Sequence, residues 1–153
     1  MKILTLLSLL FLAIPCMAQD NQAAEDAGES IARIAEHMPL MLASDCPTDA
    51  PYPSRKSCSD RAMLEYIYGN LEFPAAASSL TGPAKMAVVN FVVEADGSIS
   101  NVEVYRDPGN GMGAEAVRLV EQMAQETKWK PAMQEGEPIR LLMQMPIKFS
   151  KPE

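Results

Sequence analysis

The chain has 153 residues, a formal charge of −7 and a single histidine. That length suffices for one domain with a modest core. The acidic balance disfavours a phosphate backbone as partner, so nucleic-acid binding is set aside.

Lys2 precedes an apolar run, Ile3 to Ile14, and then Pro15, Cys16, Met17 and Ala18. This is the layout of a secretory signal peptide over residues 1–18, with cleavage after Ala18. The run is shorter than the roughly 20 apolar residues of a spanning helix, which leaves an uncleaved membrane anchor as the second reading. Pro15 disfavours a lipid anchor on Cys16. Cys46 and Cys58 then remain. In an exported chain an even pair reads as a disulfide, here closing a loop of about a dozen residues. A metal site is the weaker reading, because there is no C-x-x-C and His37 stands alone.

Residues 19–59 read as a leader and stapled loop. Gln19 to Glu29 is polar and acidic, the composition of a flexible segment. Ile31, Ile34, Ala35 and Met38 fit a helical stripe that Pro39 ends. Pro39, Pro47, Pro51 and Pro53 mark the loop around the cysteines.

The domain proper is expected over 60–153. Ser59 or Asp60 can cap a helix whose apolar positions are Met63, Leu64, Ile67, Tyr68 and Leu71, ending at Phe73-Pro74. Lys85 to Glu94 is apolar on both faces, as a central strand should be. Asp96-Gly97 predicts a hairpin turn to a return strand, Ile99 to Tyr105, with Val102 and Val104 inward. The Gly-rich loop Asp107 to Gly113 lacks Gly-Lys-Ser/Thr and follows a hairpin strand, so it reads as a turn into a helix and not as a phosphate loop. That helix, Ala114 to Glu126, turns Ala116, Leu119, Val120, Met123 and Ala124 inward, with Glu115, Arg118, Glu121 and Gln125 outward. Trp129 follows as a core residue. Gly136-Glu137-Pro138 is a turn that launches the last strand. From Ile139 to Phe149 every second residue is apolar, and Pro146 places this strand at a sheet edge. The fold class is α+β: a two-layer αββαβ arrangement with a three-stranded antiparallel sheet packed on two helices.

Several pieces in this order resemble the TonB C-terminal domain family: Phe73-Pro74 with Ala77, the run Val89 to Val93, Asp96-Gly97, Trp129-Lys130-Pro131-Ala132, Gly136-Glu137-Pro138-Ile139 and Pro146-Ile147-Lys148-Phe149. The resemblance spans about Met63 to Phe149. Lys85 stands where the family often has glycine, and Ala76 where it often has arginine. Met112 occupies a loop position often held by cysteine, which supports pairing of Cys46 with Cys58. The resemblance implies a periplasmic module that takes up the TonB box of an outer-membrane TonB-dependent transporter by strand addition, in or modulating energy transduction for nutrient or siderophore uptake. Ile139, Arg140, Leu141, Leu142, Met143, Gln144 and Met145 would carry that contact. A leader of roughly 40 residues reaches about 130–145 Å if fully extended. Without a clear anchor, an accessory or competing role is expected rather than a motor.

The alternative is a structural module, its edge capped by residues 30–38 or by a homodimer contact through Met86, Val88, Val92 and Leu142, or one associated with the cell wall. An enzyme lacks a positioned base, nucleophile or metal in the sequence, and no cofactor is implied.

Overall fold

The computed structural model describes residues 30–78 and 82–150, so the expected signal peptide and the leader residues 19–29 lie outside the described residues. The elements run β1 (Leu40–Leu42), α1 (Tyr52–Asn70), a 3-10 turn (Ala75–Ala77), β2 (Lys85–Val93), β3 (Ile99–Arg106), α2 (Met112–Glu126), β4 (Lys128–Lys130), β5 (Ala132–Gln134), β6 (Glu137–Ile139) and β7 (Leu141–Phe149). The main sheet has the order β3-β2-β7, antiparallel throughout. The α+β layout of two helices on a three-stranded sheet is therefore present. Two small two-stranded pieces, β1-β4 and β5-β6, are added to it.

β2 lies in the middle because both of its faces can be covered. Ala87, Val89, Phe91 and Val93 are fully buried against the helices, and Val92 and Asn90 are buried on the other face. On the helical side, Ala116, Leu119, Val120 and Met123 repeat at helix spacing and are fully buried. Trp129 sets its ring edge-on to Phe91, with centroids 6.0 Å apart, and Phe73 does the same to Phe149 at 6.3 Å. Gly97, at φ 85°, makes the β2–β3 turn; a Cβ there would lie 2.3 Å from the Trp129 carbonyl oxygen. The hairpin tip is thus locked to the Trp129 backbone. Cys46 and Cys58 form a disulfide, with Cα atoms 5.7 Å apart.

Several expectations are corrected. Helix α1 begins at Tyr52, not at Ser59 or Asp60. Pro51 precedes the helix and Pro53 sits in its first turn, where a missing N–H leaves no helical bond unmade. Ser59 is consequently a buried mid-helix residue, and Leu64 and Tyr68 point outward at 50% and 47% exposure. Residues 30–38 form no helix. They run extended, with Ala32 bridging Leu141 and His37 bridging Met133. The stapled loop contains β1, whose Met41 enters the core. Val104 is 42% exposed on the edge strand β3, where register shifts and Asn101 at φ 50° bend the strand. Glu115 is buried rather than outward-facing. Helix α2 starts two residues early, at Met112, because the Asp107 carboxylate accepts from the Gly113 N–H at 3.0 Å and from Gly109 at 2.8 Å. The anion-favouring end of that helix is filled by the protein's own acid.

The last strand is also shorter than expected. Glu135 (φ 51°) and Gly136 (φ 84°) form a two-residue turn joining β5 to β6, so Ile139 pairs with Ala132. Arg140 separates β6 from β7, which begins at Leu141.

A candidate partner-binding edge

β7 is an edge strand by topology. Which of its backbone groups point outward follows from two hydrogen bonds. Leu142 N–H donates to the Ala32 carbonyl at 2.8 Å, and Lys148 N–H donates to the Tyr68 hydroxyl at 3.3 Å. Neither partner belongs to β2. In an antiparallel ladder, residues alternate between bonding the neighbour and facing away. Leu142, Gln144, Pro146 and Lys148 therefore turn their main-chain groups away from β2, while Leu141, Met143, Met145, Ile147 and Phe149 spend theirs on it. Pro146 falls in the outward phase, where its missing N–H breaks no bond to β2.

The outward row is partly used. Ala32 N–H donates to the Arg140 carbonyl at 3.0 Å, and the Ala32 carbonyl takes the Leu142 N–H. Tyr68 closes the far end at Lys148. Between these stops lie the Leu142 carbonyl, both main-chain groups of Gln144 and the Pro146 carbonyl. The opposite margin, β3, is the poorer template, since two register shifts interrupt it. Tyr68 sits directly beside the β7 margin, and Leu64, one turn earlier on the same face of α1, is exposed as well.

The seven residues expected to contact a partner do not act alike. Ile139 is in the β5-β6 hairpin and not on the margin. Leu141 and Met145 are buried, and Met143 packs against the core. The Arg140 guanidinium bonds Glu94, and those bonds, outweighing Glu94's partial burial, hold the Glu94 carboxyl below the ordinary glutamate range. Gln144 donates from Nε2 to Asn90 Oδ1 at 3.0 Å, which fixes its side chain on the sheet face while its main chain looks outward. Leu142 and Gln144 remain as the core of the margin. Ala32 lies within residues 30–38, the segment expected to cap the edge if the module is structural, whereas sequence reading missed Tyr68, which comes to the margin from α1.

Of the residues of the sequence motif, Pro146 belongs to the margin itself, and the others serve the fold. Phe73 and Phe149 pack on one another; Ala77 and Trp129 are buried; Pro74 lies against Gly111; Gly136 makes its turn; Pro138 stands in β6 opposite Met133. Pro131 links β4 to β5.

The pattern of the Gram-negative bacterial TonB protein C-terminal family matches residues 70–150. The chain belongs to that family. Members are non-catalytic modules with a role in transport energy transduction; they face the periplasm and interact with outer-membrane transporters. The TonB C-terminal match opens at the end of α1, so α1 and the disulfide precede it. Among solved structures, the NMR solution structure of Helicobacter pylori TonB-CTD (residues 179-285) is 20% identical, covering 60% of this chain and 78% of that one, with a TM-score of 0.45. No curated protein matches the chain. Among the described residues no helix is long and apolar enough to cross a membrane, and no cluster of three or more His, Cys, Asp or Glu is placed to hold a metal.

Proposed function

We propose that β7 captures the TonB box of an outer-membrane TonB-dependent transporter as an added strand, in or modulating energy transduction for nutrient or siderophore uptake. The observation that carries this reading is the outward row from Leu142 to Pro146. At the start of the same row Ala32, from this chain, already bonds Arg140 and Leu142 and leaves the groups beyond them. Main-chain bonds to Gln144 would supply affinity; side chains of the incoming strand would rest on Tyr68 and so select among partners. The chain would act in the periplasm, exported by a signal peptide over residues 1–18 or held by that segment as an inner-membrane anchor. N-terminal sequencing of the exported protein separates these two.

A second reading is favoured by the same Ala32 contact: the leader caps its own margin and the domain serves as a structural or self-associating module. Titration with TonB-box peptides distinguishes the two. Gln144→Pro deletes one outward donor, worth about 0.5–1.5 kcal/mol, so affinity should fall roughly two- to tenfold. Gln144→Ala keeps the N–H and should bind as wild type. Equal affinity for Gln144→Pro and Gln144→Ala contradicts strand addition here. Failure of every peptide to bind, even after Ala32→Pro removes the competing donor, favours the structural reading.

A further inference from the structure

The β1-β4 sheet and the first turns of α1 enclose a second feature, lined by residues other than those of the β7 margin. Leu40 and Lys130 are register partners and so present their side chains on one face of that small sheet. Arg55 comes to the same place from α1. These three residues are shared by two cavities of about 230 and 330 Å³. Met38, Tyr52 and Met133, with His37 stacked on Tyr52, are among the other walls of the first cavity; Met41 and the 96%-buried Ser59 are among those of the second.

The walls are mainly apolar, yet the charge at their junction is positive. Arg55 Nε is buried and has no hydrogen-bond partner among the described residues. A buried donor left unmade is costly, more so on a charged group, so such a group points to an acceptor that arrives from outside. Neither Arg55 nor Lys130 is in an ion pair among the described residues, although the chain as a whole is acidic. The one carboxylate lining these cavities, Glu36, is at the rim of the first, where its Oε2 accepts from Glu135 N–H at 3.0 Å.

We propose that this cleft binds a carboxylate carried on a short apolar chain. The guanidinium fork of Arg55 matches a carboxylate in two-point geometry, with Lys130 adding charge. The apolar walls favour a singly charged amphiphile over a strongly hydrated phosphate. The volumes lie near or below the lower end of pockets for drug-sized ligands, so the occupant has few heavy atoms in its tail. An acyl chain and the free end of a peptide both present this chemistry.

The test follows backbone amide resonances of the full chain during addition of hexanoate, of N-acetylleucine, and of hexanamide, which keeps the tail and loses the charge. Saturable shifts at Leu40, Arg55 and Lys130 are expected for at least one acid, with hexanamide weaker by about tenfold or more. Arg55→Gln should weaken the acid by a similar factor; Lys130→Gln, at an exposed strand position, keeps the test readable if the first variant does not fold. The tighter acid identifies the source as acyl chain or peptide end. Equal binding of hexanamide and hexanoate, absence of saturation by either acid, or unchanged binding in the folded variants overturns the proposal.

Discussion

Glu115 and Arg118 hold the end of α1 to the start of α2. Arg118 donates to both carboxylate oxygens of Glu115 and, at 2.9 Å, to the Asn70 carbonyl; the Glu72 N–H reaches Glu115 Oε1 at 2.8 Å. Burial alone would raise the Glu115 carboxyl, but the guanidinium and the Glu72 N–H outweigh it and hold it below the ordinary glutamate range. A carboxyl depressed in the folded state contributes stability fully above its unfolded pKa, about 4.3, and loses that contribution as pH falls through the folded value. Glu115→Gln should therefore lower stability at neutral pH by about 1–3 kcal/mol and lose less than wild type on acidification, as read by urea unfolding at both pH values. Tyr66 has the opposite sign. Burial first, and then its hydrogen bond to Glu126, push its hydroxyl up to about 12. What it contributes is present below the unfolded tyrosine value, about 10, and fades as pH rises through 12. In an absorbance titration Tyr66 should ionise above the ordinary tyrosine range, and Tyr66→Phe should remove that late step. Gly113 is held by space: a Cβ there would sit 2.4 Å from the Asp107 carboxyl carbon. Gly113→Ala should destabilise by about 1–3 kcal/mol in the same unfolding assay.

The elements differ in how far local sequence specifies them. β2, its Asp96-Gly97 turn and α2 were legible because each carries its own period or turn residue over enough length. The edge position of β7 was legible from Pro146 alone. Residues 30–38 were not: Ile31, Ile34 and Met38 satisfy a helical spacing, yet Ala32 and His37 bond strands about a hundred residues away. The helix start at Tyr52 was hidden because Pro51 and Pro53 signal loops as readily as helix openings. β4, β5 and β6 are three residues each, too short for a period, and the β5-β6 turn places Glu135 at positive φ without Asn or Asp to announce it. The Cys46–Cys58 bond joins the segment after β1 to α1 across a short loop. Replacing both cysteines by serine should lower stability by roughly 2–4 kcal/mol and lower the melting temperature, measured by calorimetry.

At the scale of the whole molecule, one sheet margin is regular and the other is bent by bulges. The regular one is bracketed by Ala32 and Tyr68, which leaves a short open stretch centred on Gln144. Ala32 competes for the groups a longer added strand would use, so affinity for such a strand is set jointly by the margin and by the leader. Ala32→Pro, which deletes the donor to Arg140, should raise affinity for a TonB-box peptide by roughly two- to tenfold in a calorimetric titration. The most direct measurement is amide hydrogen exchange along β7 with and without that peptide. Strand addition predicts that Gln144, exchanging readily in the free protein, becomes protected on binding, while Met143 and Met145, already bonded to β2, change little. Saturation with the peptide while Gln144 exchanges at its free rate would contradict the account.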